Sequence, residues 1–358
     1  MTMRLIYKPA ALAAVVTAAV LMTSCAVTKN VTDTKDMSYI YNPSRSFFTP
    51  WISVYNEDAE TSVLNISIRK SELYFNEANP EGVPMASMLV SVRLYDNTLG
   101  GALADTSTFK YDIKREETGG EYSFRTPLSA RDGSSYTAEI KIIDLIRQRT
   151  QQLFVDFERT GRYSGLNYKV RDHFTNNEVF SRAVRVDQYV NVLAPSLQPD
   201  TLWLFYYKAV TAIPPSPSTI LPEVTIAPEP EAIVPLAWSD TLPIMFPNQG
   251  IYLISVDSLI REGLVLCNFG PDHPSMARPE TMIPPLAYIA TPQEMDEMLT
   301  SEKPKLALDN FWLERTGSIE RSKELIRIYY NRTLFSNYYF TSYKAGWLTD
   351  RGMVYIMY

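Results

Sequence analysis

Apolar and polar residues alternate along the chain between residues 46 and 159. The clearest run holds Leu64, Ile66 and Ile68, each followed by a polar residue. Runs with the same period of two recur at 90–94, 122–124, 138–142 and 153–157. Turn sequences rich in glycine, asparagine and aspartate separate these runs. Short alternating strands joined by regular turns are typical of an antiparallel sandwich, so residues 46–159 are predicted to form an immunoglobulin-like β-sandwich.

The strand pattern continues with less regularity over residues 160–290, which predicts a second, irregular β-rich domain. Ile251–Val256 is apolar at nearly every position, and such a run is typical of a central strand. Residues 213–235 contain seven prolines. Because proline has no N–H to donate to a sheet, this Pro-rich segment is predicted to be an extended excursion outside the sheets. No internal repeat is detectable in the sequence.

From Thr291 onward the pattern becomes helical. The sequence Thr291-Pro292-Gln293-Glu294 fits a capping box with proline at the first helical position. Two more helices are predicted, one beginning at Pro304 and one after Ser318. Met353–Tyr358 is apolar throughout, which predicts a final strand buried on both faces. The predicted fold is therefore mostly β, with a C-terminal α+β part over residues 291–358.

The first 24 residues are typical of a secretory signal peptide. A short positively charged start precedes Ala10–Met22, an apolar run too short to span the hydrocarbon core of a bilayer. The run leads to Ser24-Cys25, an ending that resembles a bacterial lipobox. The resemblance implies cleavage before Cys25 and acylation of that residue with fatty acids such as palmitate, with residues 25–45 as a polar tether. An ordinary cleaved signal peptide and an uncleaved anchor stay open as alternatives.

Near the end of the chain, Gly346-Trp347-Leu348-Thr349-Asp350 is followed by Arg351 and Gly352. This sequence resembles the signature of GWxTD-domain proteins, a family of envelope lipoproteins typical of Bacteroidetes. The resemblance implies lipid anchoring in the cell outer membrane, and the lack of acidic residues directly after Cys25 favours the periplasmic face. It implies no established activity. It also implies that the reading frame continues past Tyr358, so residues 291–358 are expected to be an incomplete domain.

Turn chemistry offers a structural explanation of the same motif. Gly346 can adopt a left-handed φ after a helix, and Trp347 is a large apolar anchor. Thr349 and Asp350 can accept hydrogen bonds from nearby backbone N–H groups. We therefore predict that Gly346, Trp347, Thr349, Asp350 and Arg351 form a structural corner between a helix and the final strand. The alternative is that Asp350 and Arg351 are a binding or catalytic pair.

The net charge and the cysteine content exclude some classes of function. The formal net charge is −6, without the clusters of lysine and arginine that nucleic-acid binding requires. We therefore expect no nucleic-acid partner. The chain has two cysteines, and if Cys25 carries lipid then Cys267 has no disulfide partner. Because apolar residues precede it, Cys267 is predicted to be buried in the core rather than reactive.

Candidate catalytic residues are few. His173 and His273 are the two histidines, and each follows an aspartate. Adjacent residues of a strand point to opposite faces, so neither Asp-His pair is automatically a cooperating unit. No nucleophile elbow, phosphate loop or metal-ligand spacing is recognisable. We predict a protein without catalytic residues, metal site or cofactor.

These observations favour a non-catalytic outer-membrane lipoprotein that acts through protein–protein contacts, as an accessory to an assembly or export machine. The sequence identifies neither the envelope partner nor a small-molecule ligand. Two alternatives stay open. One is a module that binds glycans or peptides through a groove lined by exposed tyrosines. The other is an uncharacterised hydrolase, which would require a histidine, a buried carboxylate and a nucleophile in one pocket.

Overall fold

The computed structural model describes residues 48–76, 82–115, 120–208 and 229–358. The predicted signal peptide, Cys25 and the tether over residues 25–45 lie outside the described residues, as does most of the Pro-rich segment. The described part is mostly β with a C-terminal helical part, as predicted from the alternating and helical patterns.

The first structural unit is a β-sandwich in which every predicted alternating run lies on a strand. Its strands are β1 Trp51–Asn56, β2 Thr61–Arg69, β3 Met85–Asp96, β4 Ala102–Lys114, β5 Glu121–Ser129, β6 Ser135–Asp144 and β7 Arg149–Glu158. One antiparallel sheet has the order β1-β2-β5 and the other β4-β3-β6-β7. The core between them includes Leu64, Ile66, Val92 and Ile140, all buried. Two antiparallel sheets of three and four strands confirm the predicted immunoglobulin-like sandwich.

The second unit is more regular than its sequence indicates. Its strands are β8 Lys169–Asp172, β9 Tyr189–Leu193, β10 Thr201–Lys208, β11 Ala232–Ala237, β12 Pro243–Met245, β13 Gly250–Ser255 and β14 Leu264–Asn268. They form the sheets β8-β9-β12 and β11-β10-β13-β14. Counted from its own first strand, each unit has the same two orders, 1-2-5 and 4-3-6-7. The chain therefore contains two sandwiches of one topology in tandem, a repeat of architecture that the residues do not reveal.

Two predictions about single segments of the second unit have different outcomes. Ile251–Val256 was predicted as a central strand, and β13 indeed lies between β10 and β14. The Pro-rich segment was predicted to stay outside the sheets, but its last residues belong to β11, where Pro235 lies opposite Trp203. Because β11 is an edge strand, the missing N–H of Pro235 leaves no neighbouring strand without a donor.

Polar side chains join the two sandwiches. Lys169 and Glu178 of the second sandwich form a buried ion pair with Nζ and Oε2 2.7 Å apart. The same carboxylate accepts a hydrogen bond from Asn65 Nδ2 of the first sandwich, and Ser53 donates to its other oxygen. Lys169 Nζ also lies 4.5 Å from the ring centre of Tyr55. Since buried charges need partners on all sides, these contacts hold the two sandwiches in one arrangement.

Five helices follow the sandwiches: α1 Pro279–Met282, α2 Pro292–Thr300, α3 Pro304–Thr316, α4 Ile319–Phe340 and α5 Asp350–Met357. The predicted capping box is present at the start of α2. Thr291 Oγ1 accepts from the N–H of Glu294, and the Glu294 carboxylate accepts from the N–H of Thr291. Gly317, with a left-handed φ of 68°, ends α3. No helix among the residues described is both long and apolar enough to cross a membrane.

The prediction of a final strand at Met353–Tyr358 is wrong, because Asp350–Met357 forms α5. Buried Gly352 and Ile356 are four residues apart, whereas Val354 and Met357 are exposed, which is the periodicity of a helix. A short apolar run has no alternation by which a strand could be told from a helix. Thr349 caps the N-terminus of α5, because its hydroxyl accepts a hydrogen bond from the N–H of Gly352.

Candidate functional site: the GWxTD corner and the cleft beside it

Gly346 lies directly against the backbone of α4. A Cβ at this position would overlap the carbonyl group of Ser336 and lie 2.7 Å from Asn337 Cα, whereas contacting carbon atoms prefer about 3.5–4.0 Å. The N–H of Gly346 donates to Thr341 Oγ1 at 3.0 Å. The predicted left-handed φ is not found, since Gly346 opens a short 3₁₀ helix with an ordinary backbone conformation. Glycine is required here by space, not by backbone angle.

Asn337 of α4 holds the corner to the rest of the domain. It is almost fully buried, and its Oδ1 accepts from the N–H of Trp347 at 3.0 Å. Its Nδ2 donates to the carbonyl oxygen of Pro274 at 2.9 Å. A buried amide with both ends paired fixes two chain segments at once. The sequence did not predict a role for Asn337, because a polar residue in an amphipathic helix is normally assigned to the solvent-exposed face.

Trp347 is the apolar anchor that was predicted. Its side chain is buried in a core formed by the helices and by the 3₁₀ helices Pro284–Tyr288 and Gly346–Leu348. Leu286, Trp312 and Ile356 are members of this core. The ring of Tyr288 meets the indole edge to face with centroids 6.2 Å apart. The Tyr288 hydroxyl donates to the carbonyl oxygen of Trp347 at 2.6 Å. Burial raises the pKa of Tyr288 to about 12, so this hydroxyl stays a donor at all physiological pH values.

Thr349 closes the corner and begins α5. Its Oγ1 donates to the carbonyl oxygen of Gly346 at 2.7 Å and accepts from the N–H of Gly352 at 3.0 Å. A Cβ at Gly352 would overlap the carbonyl group of Gly346. Three motif residues are thus packed against one another. The corner joins helix α4 to helix α5, so its prediction as a helix-to-strand corner is corrected in its second half.

Asp350 and Arg351 differ from the other motif residues because both side chains are exposed. They line a cleft of about 620 Å³ together with Arg332 of α4 and with Val354, Tyr355 and Tyr358. Asp350 occupies the first turn of α5, where a carboxylate is stabilised by the helix dipole. Within the residues that the structure describes, Asp350 and Arg351 make no ion pair with each other.

The cleft continues into an exposed apolar surface, which we call the α4–α5 face. The face consists of Leu325, Ile328, Arg332 and Phe335 on α4, and of Arg351, Val354, Tyr355 and Tyr358 on α5. Leu325, Ile328 and Phe335 are each 38–40% exposed, and Val354 is 51% exposed. Spacings of three, four and seven residues place each set on one side of its helix. Apolar side chains exposed together on two packed helices mark interaction sites more often than scattered surface residues do.

The two histidines do not meet carboxylates among the described residues. His173 Nδ1 lies 3.0 Å from Asn191 Oδ1, while Asp172 accepts from the backbone of the following turn. His273 Nε2 lies 3.3 Å from Thr341 Oγ1, and burial lowers the pKa of His273 to about 4. Asp272 instead pairs with Arg278 at 2.7 Å. Neither Asp-His pair is a cooperating unit in this structure.

Cys267 lies on β14 and is fully buried. Burial raises the pKa of its thiol to about 11, so the thiolate is not populated near neutral pH. No group of three or more His, Cys, Asp or Glu side chains that could hold a metal ion occurs in the described ranges. The structure thus places Cys267 in the core, where the sequence predicted it.

The family model described as the GWxTD domain matches residues 250–358. This part of the chain is a GWxTD domain, as the motif predicted, and it includes β13 and β14 as well as all five helices. No curated protein matches the chain.

Several solved structures with local likeness are glycoside hydrolases. A calcium-binding mutant of Bacteroides uniformis β-glucuronidase 2 is 15% identical, with a TM-score of 0.21 over 35% of this chain and 14% of that chain. A glycosyl hydrolase family 2 member from Bacteroides cellulosilyticus is 6% identical, with a TM-score of 0.22 over 32% and 15%. A putative β-galactosidase from Bacteroides fragilis is 9% identical, with a TM-score of 0.21 over 30% and 16%. The chain spans only a small part of these proteins, and such TM-scores support no conclusion about fold or function.

Proposed function

We propose that this protein is a non-catalytic lipoprotein of the outer membrane, anchored through Cys25 and facing the periplasm. It acts through protein–protein contacts, as an accessory to an assembly or export machine. The single observation that carries the contact role is the α4–α5 face, which exposes apolar side chains on two adjacent helices of the GWxTD domain. The anchor and the location are supported by the lipobox-like ending at Ser24-Cys25 and by the family resemblance.

The cost of exposing this face supports a contact role. Fully burying an exposed apolar side chain of this size is worth about 1.5–3 kcal/mol, and the apolar side chains of the face are 38–51% exposed, so a partner that covers each one gains about half of that or less. Covering several of them together still stabilises a complex. The joined sandwiches suit the role of a spacer, because Ser53 and Asn65 of the first sandwich donate hydrogen bonds to the buried Glu178 carboxylate of the second.

Affinity purification from detergent-solubilised envelopes tests the proposal. The wild-type chain is compared with Ile328→Glu, which places a charge in the α4–α5 face. The matched control is Leu306→Glu on α3, because Leu306 is also exposed and apolar but lies outside the face. We expect one or more proteins to be recovered with the wild type and the control and to be lost with Ile328→Glu. Equal recovery with all three chains would contradict the proposal.

A binding module for peptides or glycans is the second candidate. The observation that favours it is the cleft of about 620 Å³ lined by Tyr355 and Tyr358, since ligand sites of about 300–1,000 Å³ are commonly lined by aromatic side chains. Titration calorimetry with a panel of oligosaccharides and short peptides tests it. Binding that is lost in Tyr355→Ala, while the protein partners are retained, would favour this candidate over the first.

A further inference from the structure

The charged residues of the α4–α5 face are mainly cationic. Arg332 and Arg351 line the cleft, and Asp350 is the carboxylate beside them. Over the ranges that the structure describes, neither arginine forms an ion pair, whereas Arg315 of α3 pairs with Glu294 at 2.7 Å. The net charge of the whole chain is −6. The face is thus a positively charged surface on an acidic protein.

Arg332 lies where the two halves of the face meet. One guanidinium nitrogen, Nη1, donates to the carbonyl oxygen of Ile356 at 3.0 Å, near the end of α5. This bond fixes the side chain and leaves other N–H groups of the fork available. Ile328 precedes Arg332 by four residues and Phe335 follows it by three, so apolar side chains flank the cation along the helix.

The charge and the spacing of these side chains favour some binding partners of the face over others. A second copy docked by a two-fold axis would bring one cleft carboxylate, Asp350, for the two arginines Arg332 and Arg351, so positive charge would remain in excess across that contact. A carboxylate is the better partner, because the guanidinium fork matches it with two parallel hydrogen bonds. Apolar side chains spaced along α4 fit a helix that carries its own apolar stripe.

We infer that the α4–α5 face binds an amphipathic helical segment of another protein, with apolar residues three or four apart and carboxylates placed against Arg332 and Arg351. This inference rests on the proposed contact function and adds the chemistry of the partner. It also gives Arg351, an exposed residue of the motif that the corner does not need, a role in recognition.

Site-specific photo-crosslinking tests the inference. Cysteine is introduced at Val354, the full chain is purified, labelled with a thiol-reactive benzophenone and irradiated with solubilised envelope proteins. Cys267 does not compete for the label because it is fully buried. The parent chain without the new cysteine measures any background from Cys25. Arg327→Cys is the positional control, because residue 327 is exposed but lies roughly 140° around the helix from Arg332.

The expected product joins Val354→Cys, and not Arg327→Cys, to a segment with helically spaced apolar residues and flanking carboxylates. Adding Arg351→Glu should lower its yield about tenfold or more, Arg351→Lys should lower it by less because lysine keeps the charge without the fork, and Arg327→Glu should retain most of it. Raised salt should also lower the yield of the crosslinked product, because salt screens the attraction between arginine and carboxylate.

Other products would overturn the inference. They are a lipid adduct, a link to a second copy, a link back to the same chain, a segment that is neutral or basic, or no product at all. If affinity purification recovers a partner that none of these crosslinks reach, the proposed function stands and only this inference fails. If no partner is recovered by either method, both fail.

Discussion

Replacing Gly346 with alanine tests whether the GWxTD corner depends on close packing. The added methyl group would overlap the Ser336 carbonyl and approach Asn337 Cα to 2.7 Å. Both obstacles are backbone atoms of α4, so no side-chain rotation can relieve the overlap. The corner must move away from α4, and it then loses the hydrogen bonds from Gly346 to Thr341 and from Trp347 to Asn337.

The expected loss of stability has two contributions, the overlap of the added methyl group and the loss of the two hydrogen bonds. Inserting a methyl group into a packed site costs about 1–3 kcal/mol. Each lost hydrogen bond costs about 1 kcal/mol, and more where Asn337 is left buried with an unpaired group. The total is about 3–5 kcal/mol, concentrated in the contact between α4 and α5. Because the chain has several structural units, a single free energy of unfolding would not be well defined.

Hydrogen–deuterium exchange read by mass spectrometry resolves the effect by segment. Peptides from α5 should exchange about 10²–10³-fold faster in Gly346→Ala, since every 1.4 kcal/mol is tenfold, while peptides from the first sandwich stay unchanged. Gly317→Ala is the control, because a Cβ there meets open space and the cost of its left-handed φ is about 1–2 kcal/mol at the end of α3. Gly346→Asn distinguishes the explanations. Asparagine tolerates a left-handed φ, so a mild effect of Gly346→Asn beside a severe effect of Gly346→Ala would refute the packing argument.

Three further outcomes are expected. Asn337→Leu should destabilise the helical domain by about 2–4 kcal/mol, read from hydrogen–deuterium exchange of its peptides, because it leaves the N–H of Trp347 unpaired, whereas exposed Asn331→Leu should change little. Cys25→Ala should abolish incorporation of a labelled fatty acid, and equal labelling of both chains would end the proposed anchor. His273→Gln should reduce the loss of stability as pH falls from 6.5 to about 4, because the pKa of folded His273 is lowered by burial and the unfolded state takes up its proton first.

The sequence predicts elements well where a local signal sets the structure. Leu64, Ile66 and Ile68 alternate because β2 buries one face in the core of the first sandwich. The capping box at Thr291 and the helix end at Gly317 are set by residues within one turn of each other. Edge strand β4, by contrast, is exposed along most of its length, and apolar residues alternate with polar ones only near its end, at Phe109, Tyr111 and Ile113. Its first half could not be predicted from periodicity.

What the sequence could not provide depends on contacts between distant residues. The second sandwich repeats the first, but β8 and β12 have only four and three residues, too few to show a period. Gly346 was predicted to need a special backbone angle, since its neighbour Ser336 lies ten residues away on α4. The α4–α5 face was not predicted either. Leu325, Ile328 and Phe335 look like core residues until the structure shows that another side of α4 forms the core.

Hydroxyl-radical footprinting in intact envelopes tests most directly whether the α4–α5 face is covered in the cell. Phe335, Tyr355 and Tyr358 are compared between envelopes and the purified chain, with exposed Phe174 of the second sandwich as the internal reference. We predict that these three side chains are oxidised more slowly in envelopes while Phe174 reacts at the same rate in both. Equal oxidation of Phe335 and Tyr358 in envelopes and in the purified chain would contradict the proposal that this face binds a partner.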